Sequence, residues 1–368
     1  MLKFFRQLDW SILIPVLVSV FLGMMAILST TWKEEHVVRY INKQVLALVI
    51  GLVLVYFLAK FNYHVFGSWA YYLYFFSLLT LILVLIFGTE IRGTRGWFNL
   101  GIFQFQPAEF AKLALLVMLA KYFSSIAGKP SRFQYIVVSG LMTLLPVGLI
   151  LLQPDLGSAI MLVALWLCML LVSGIKREHT LILIAVAAVV LFVGWSFALK
   201  PYQKARISSF LNPSADPLGS GYHLIQSKIA IGAGGILGRG LGRGTQSQLQ
   251  FLPDEHTDFI FAVIAEELGL LGAGLVLALL GFLMWRIVRL ASLIKEDFGL
   301  MLALGAAFLF SCQILINVGM NLGILPVTGV PLPFISYGGS ALIMVLVIIG
   351  ILENISILSR NEPGIFRE

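Results

Sequence analysis

Charge is scarce in this chain: Asp, Glu, Lys and Arg supply 12% of 368 residues, against 59% hydrophobic. A soluble domain carries about 25% charged residues, so an ordinary water-soluble globule is excluded. Mean hydropathy of +0.96 puts most of the chain in lipid. Cysteine is nearly absent as well. Cys168 and Cys312 both lie in apolar stretches without a nearby His or second Cys in sequence to complete a metal site, and read as two packing thiols. No GxGxxG sits between a strand and a helix and no GK[ST] closes a glycine loop, so neither a dinucleotide fold nor a P-loop is present. Internal repeats, heptads and low-complexity tracts are also missing.

What is there is a series of long uncharged runs. A helix needs about 20 apolar residues to cross a ~30 Å hydrocarbon core. Residues 10–32, 44–59, 61–89, 133–154, 156–175, 180–199 and 268–285 contain no Asp, Glu, Lys or Arg, and each supplies one span. Residues 298–352 are also uncharged, but Pro326, Pro331 and Pro333 divide them into two spans and a connector. A further helix near 107–123 must cross if its neighbours alternate, with Glu109 and Lys112 inside it. The expectation is an all-α integral membrane protein of ten transmembrane helices, a single polytopic domain over 1–368.

Net charge is +7, yet the basic residues cluster in short loops, which points to topology and not to nucleic acid. The termini and even-numbered short loops hold thirteen Lys and Arg, among them Lys3, Arg6, Lys60, Lys121, Lys176, Arg286 and Arg360. The other short loops hold five: Lys33, Arg39, Lys43, Arg92 and Arg95. This asymmetry places both termini in the cytoplasm. The run 10–32 is too long for a signal-peptide core and is expected to stay as the first span. A large loop, approximately 200–257 between helices 7 and 8, then faces outward.

That loop begins with turn formers at 212–221 and continues as an apolar-periodic stretch at 222–233, the pattern of an amphipathic interfacial helix. Seven glycines between 232 and 244 follow, interleaved with Arg239 and Arg243. Such a piece can cradle a phosphate with backbone N–H groups and guanidiniums, or be a flexible loop. Asp258 lies at the mouth of the eighth span. It is a catalytic candidate, while Thr257 or Asp258 can equally act as a helix N-cap. Glu266 and Glu267 come about 12 Å further along the axis. Carboxylates at that depth must face the bundle interior, either as functional groups or as structural hydrogen-bonding ones. Glu109 and Lys112, spaced i,i+3, can neutralise each other. Trp97 in RGTRGWFNLG is either an interfacial anchor or a substrate contact, and Asp155 in QPDLGS can simply cap its helix. The connector PVTGVPLPFISYGGS cannot be exposed coil in lipid, so it packs on protein or lines a cavity, with Ser336, Tyr337 and Ser340 as its polar groups.

The stretches RGWFNLG, FQPAEFAK, QPDLGS, GYHLIQSKIAIGAGG, GTQSQLQFLPDEHTDFIFAVIAEELG and GVPLPFISYGGSA resemble the SEDS family (shape, elongation, division, sporulation), and its elongation branch more than its division branch. The likeness covers nearly the whole chain; one departure is GAGG where GSGG is common. The resemblance implies a ten-span peptidoglycan glycosyltransferase of the bacterial inner membrane. Such an enzyme polymerises lipid II at the outer leaflet during cell elongation and rod-shape maintenance. Its partners would be lipid II, undecaprenyl-diphosphate-linked glycan, a class B penicillin-binding protein (the transpeptidase) and other membrane proteins of the elongation complex. Carried over by motif, the essential carboxylate is Asp258, with Trp97, Glu109 and Lys112 implicated in activity and Gln106, Asp155, Gln246, His256, Thr257 and Ser340 around them.

The chemistry fits the composition. A glycosyltransferase using a nucleotide sugar needs a soluble nucleotide-binding domain, and no loop here is large enough, so the donor must arrive attached to lipid. An inverting transfer needs a base for the acceptor hydroxyl and positive charge for the departing diphosphate. Asp258 is the candidate base; Lys112, Arg206, Arg239 and Arg243 are candidates for the diphosphate, and a divalent cation, Mg or Mn, can share that task with Asp258 or Glu109 as ligands. A lipid II flippase and a non-catalytic scaffold for the transpeptidase are the competing readings.

Overall fold

The structure, a computed structural model, describes residues 6–361 apart from 33–36, 92, 102, 128–132, 177, 184, 186–203, 205–207, 214–215, 218, 220, 250 and 253–254. Its long elements are helices, in the order α1 (Trp10–Thr31), α2 (Val37–Leu58), α3 (His64–Phe87), α4 (Pro107–Ile126), α5 (Phe133–Leu152), α6 (Leu156–Val172), then α7 (Tyr222–Gly234) and a single turn α8 (Thr245–Gln248), and finally α9 (Ile260–Leu293), α10 (Asp297–Leu322) and α11 (Gly339–Asn361). Among the described residues seven are long and apolar enough to cross a membrane, and α6 is a shorter apolar helix. The protein is therefore a multi-pass membrane protein. The expected span at 180–199 falls largely outside the described residues.

Helix α4 carries Glu109, Lys112 and Lys121 and forms the middle of the bundle, with Leu113 through Ala120 all buried. A charged helix can occupy that place because α3, α6 and α10 surround it instead of lipid. Around this centre α2 packs on α11, and α9 packs on α1 and α10. Small residues allow the closest approaches. A Cβ on Gly23 of α1 would stand 2.3 Å from the carbonyl oxygen of Ile335.

Three differences from the sequence expectation stand out. First, the fold is not purely α. Between α3 and α4 a short antiparallel sheet, β1 (Thr89–Ile91), β2 (Thr94–Asn99) and β3 (Gln104–Phe105), runs in the order β1-β2-β3. Its turn residue Gly93 has φ +75°, and each strand is too short to leave a periodic signal of its own. Second, α9 starts at Ile260, eight residues before the uncharged run at 268–285. Glu266 and Glu267 are fully buried against protein and so do not end it.

Third, the glycine-rich segment is part of the bundle wall. At Gly269 the α9 backbone leaves helical geometry (φ +66°). The N–H groups freed there donate to this segment, Leu270 to the Gly235 carbonyl at 2.9 Å and Leu271 to that of Ile236 at 3.2 Å. In return Arg239 and Gly240 donate backbone N–H groups to the carbonyls of Glu266 and Glu267 at 3.0 and 2.9 Å. The chains approach so closely that a Cβ on Gly238 would stand 2.2 Å from the Glu267 carbonyl oxygen. The buried face of α7, Leu224, Ser227, Ala230 and Gly234, is correspondingly turned to α9 and α10, where an interfacial helix would turn it to lipid.

The connector between α10 and α11 is held by protein, as backbone at membrane depth must be. The Leu332 N–H donates to Ser336 Oγ at 2.8 Å, Ser336 Oγ donates to the Thr257 carbonyl at 2.6 Å, and the Tyr337 N–H donates to the His256 carbonyl at 2.9 Å. Phe334 adopts φ +67°, a costly conformation for a side chain that has a Cβ. Its ring is buried against Phe310 at 5.3 Å between centroids, and that packing holds the turn.

Candidate active site

A cavity of about 790 Å³ opens where the N-terminal ends of α2, α4, α6 and α11 meet the residues leading into α9. It brings together Trp97, Gln106, Glu109, Lys112, Asp155, His256, Thr257 and Asp258, which are dispersed in sequence from position 97 to position 258. Its remaining wall includes Arg39, Tyr40 and Lys43 of α2 and the connector residues Thr328–Pro331 and Tyr337–Gly339.

Asp258 is positioned through its backbone. Two fully buried asparagines one turn apart on α10, Asn317 and Asn321, each donate Nδ2 to the Asp258 carbonyl at 3.0 Å. Asn317 also donates to the Val330 carbonyl at 2.9 Å, and Asn321 Oδ1 accepts the Ala262 N–H at 3.1 Å. One polar pair thus ties together the Asp258 segment, the start of α9 and the connector, and the Asp258 side chain faces the cavity. Across from it Gly329 has φ +76°, and a Cβ there would lie 3.4 Å from Asp258 Oδ2. Glycine keeps that approach open.

Lys112 Nζ donates to Glu109 Oε1 at 2.6 Å, with both side chains at most 5% exposed. Asp155 caps α6: its Oδ1 accepts the Ser158 N–H at 2.9 Å and its Oδ2 the Ser158 hydroxyl at 2.7 Å. Gln106 bridges neighbours, its N–H donating to Ser340 Oγ at 3.1 Å and its Nε2 reaching Asp155 Oδ2 at 3.5 Å. Trp97 is half-buried on β2, where its carbonyl accepts the Thr89 hydroxyl at 3.1 Å. The His256 ring meets Tyr40 at 5.2 Å and Tyr337 at 5.6 Å, and these aromatic faces join α2 to the Asp258 segment.

The structure does not bring Arg239, Arg243 or Gln246 to the cavity. Arg239 donates Nε to the Ala233 carbonyl at 3.1 Å and a terminal nitrogen to the Thr245 hydroxyl at 3.2 Å, and both arginines are exposed. The Gln246 N–H donates to Glu266 Oε1 at 2.8 Å and the Ser247 N–H to Glu266 Oε2 at 3.1 Å. Glu267 Oε1 accepts the Gly242 N–H at 3.2 Å and the Ser29 hydroxyl. These two carboxylates anchor the glycine-rich segment, which is the structural alternative left open above. Arg206 lies outside the described residues.

Sequence reading missed Asn317 and Asn321, although two asparagines spaced i,i+4 inside an uncharged 55-residue run are a legible signal of a buried hydrogen-bonding device. It also counted Arg39 and Lys43 only as loop charges. Cys168 on α6 and Cys312 on α10 are free, half-buried thiols. Among the described residues no three of His, Cys, Asp and Glu converge as a metal cage. Of the carboxylates expected as cation ligands, Glu109 is paired with Lys112 and Asp258 lines the cavity, while Asp155 caps α6.

The fold and the cavity define a multi-pass membrane protein whose titratable groups are gathered where several helix N-termini meet. The chain belongs to the FtsW/RodA/SpoVE family, described as cell cycle protein, whose profile matches residues 6–361. It is 39% identical over 349 residues to the peptidoglycan glycosyltransferase MrdB of Escherichia coli strain K12, covering 95% of this chain and 93% of the relative. It is 37% identical to the stage V sporulation protein E of Bacillus subtilis strain 168, over 96% and 98% of the two chains. Its fold is similar to a chain solved in work on "polymerization and crosslinking by a peptidoglycan synthase complex" (TM-score 0.81, 38% identity, 96% of this chain and 99% of that one). It is also similar to the rod shape determining protein RodA of Thermus thermophilus (TM-score 0.71, 33% identity, 97% and 98%).

Proposed function

We infer that this protein is a peptidoglycan glycosyltransferase serving cell shape, and that it polymerises lipid II at the outer leaflet of the cytoplasmic membrane. The observation that carries this reading is Asp258, fixed through its carbonyl and turned into the cavity beside a buried Lys112–Glu109 pair. Relatives bearing the same activity in their names support it.

In the reaction, the 4-hydroxyl of the acceptor GlcNAc attacks the anomeric carbon of the donor MurNAc. The bond from that carbon to the lipid diphosphate breaks with its electron pair, and the configuration inverts. Asp258 takes the hydroxyl proton. Lys112 and Glu109 hold the floor of the cavity as a neutral pair. His256, Tyr40 and Tyr337 offer flat faces on which a sugar ring can stack. The proposed topology has ten spans, both termini in the cytoplasm and the 200–257 segment outward. The proposed partner is a class B penicillin-binding protein, in line with the synthase complex to which a similar chain belongs.

The test uses purified protein and labelled lipid II in detergent, where there is no leaflet to flip across. Glycan product is expected from the wild type and not from Asp258→Ala or Asp258→Asn. Polymerisation by both variants at the wild-type rate removes Asp258 as the base, and no product from the wild type returns the flippase or scaffold reading.

A further inference from the structure

Among the described residues Arg39, Lys43 and Lys112 line the cavity, and these cations are not equivalent. Lys112 is paired with Glu109 at 2.6 Å, so its charge is already neutralised. Arg39 and Lys43, on the first two turns of α2, have no ion pair among the described residues. Their spacing of four residues puts them on one helix face, about 5–6 Å apart at Cβ. The position is unfavourable for structural cations: positive charge near a helix N-terminus opposes the macrodipole, and the outward side is the one that membrane proteins leave poor in Lys and Arg. The N-termini of α4, α6 and α11 converge on the same space and add their positive ends. Of the cavity's carboxylates, Glu109 is paired with Lys112, Asp155 is held at the α6 N-terminus by Ser158, and Asp258 lies across the Tyr40–His256 contact from α2.

We propose that Arg39 and Lys43 are the diphosphate clamp for the lipid carrier of the donor, which makes the α2 wall the leaving-group side of the cavity. The assignment rests on the polymerase reading above. It moves the diphosphate away from Lys112, one of the four candidates that the sequence offered. Two cations one turn apart match two linked phosphates better than one. When the anomeric C–O bond breaks, its electron pair stays on the diphosphate oxygen, where the guanidinium and ammonium stabilise it. Asp258 is reached from α2 across the Tyr40–His256 contact of 5.2 Å. The base and the leaving-group site therefore stand on separate walls, as inversion requires.

Binding and turnover test this separately, on the full chain in detergent. Thermal stabilisation is titrated with undecaprenyl diphosphate and undecaprenyl monophosphate. The wild type is expected to hold the diphosphate at least about tenfold more tightly, and Arg39→Gln, Lys43→Gln and the double variant to lose about tenfold per cation and with it the preference. Arg39→Lys and Lys43→Arg should restore most of it, which loss of fold would not allow. In polymerisation the Gln variants should raise KM for lipid II with a smaller fall in kcat. No diphosphate preference in the wild type, or its survival in the double variant, overturns the clamp. If the preference is present and the wild type makes no glycan, the clamp stands and the polymerase reading fails.

Discussion

Asp258 and the pair Glu266–Glu267 lie within ten residues of one another, at the start of the same helix, and all three are acids in an apolar setting. The structure treats them in opposite ways. Glu266 spends both carboxylate oxygens on backbone N–H groups of Gln246 and Ser247, and Glu267 accepts from Gly242 and Ser29. At Asp258 the anchoring is done by the carbonyl, through Asn317 and Asn321, and the side chain lines the cavity. Glu266 and Glu267 are thus committed to the seam, whereas the half-buried Asp258 has a face on the cavity.

The largest expected effect breaks the comparison directly. Asp258→Asn keeps the carbonyl and nearly the same shape, so the melting temperature should hardly move while polymerisation falls by about 100-fold or more. A large loss of stability would mean that the Asp258 side chain is also structural, and the contrast would collapse.

Next is the Lys112–Glu109 pair, which lines the cavity yet is saturated. Glu109→Gln or Lys112→Met alone strands a buried charge and should cost about 3–5 kcal/mol in unfolding experiments. The double variant should recover most of that stability and still polymerise at under about a tenth of the wild-type rate. Recovery of activity along with stability would make the pair purely structural and move it to the side of Glu266.

Glu266→Ala tests the structural side. It strands the Gln246 and Ser247 N–H groups and the Thr245 hydroxyl. The segment can partly rearrange, so we expect a loss of about 2 kcal/mol. Trypsin should then cut faster after the exposed Arg239 and Arg243, with turnover per folded molecule changed less than about threefold. A collapse of turnover at unchanged stability would give Glu266 a catalytic role.

Seven of the expected spans were legible because absence of charge over 16 to 55 residues is a strong signal, and the three prolines marked the connector. Glu109 and Lys112 stood out because charge inside lipid is costly, and Asp258 through its place at the mouth of a span and the motif around it. What was hidden depended on long-range pairing. The glycines of 232–244 fit a phosphate loop as well as a tight seam against α9, and only the contact with Glu266 and Glu267 decides between them. The start of α9 was hidden because its carboxylates find backbone partners some 20 residues upstream. The place of Arg39 and Lys43 on the cavity wall was hidden because only the fold brings α2 beside the ion-paired Glu109 and Lys112.

The smallest effect belongs to the charge cluster at the far end of the bundle, where Asp9 caps α1 and meets Arg286 of α9 and Arg360 of α11, with Arg360 at 2.6 Å. Its N–H donates to Glu353 Oε2 at 2.7 Å, and Ser356 Oγ donates to its carboxylate at 3.1 Å. Burial alone would raise the Asp9 pKa, but the hydrogen bond from Ser11 and the charges of Arg286 and Arg360 together bring it below the ordinary 3.8. A carboxylate with a depressed pKa contributes stability that is fully present above its unfolded value and is lost as pH falls through the folded one. The melting-temperature gap between wild type and Asp9→Asn should therefore be constant from neutral pH down to about 5 and narrow below 3.8. Polymerisation measured at neutral pH should follow only the folded fraction. If the gap stays constant down to pH 3, Asp9 is held by its cap geometry and not by charge. If turnover falls while the fold holds, this cluster communicates with the cavity through α9 and α11, and the division between spent and available charges would extend along the bundle.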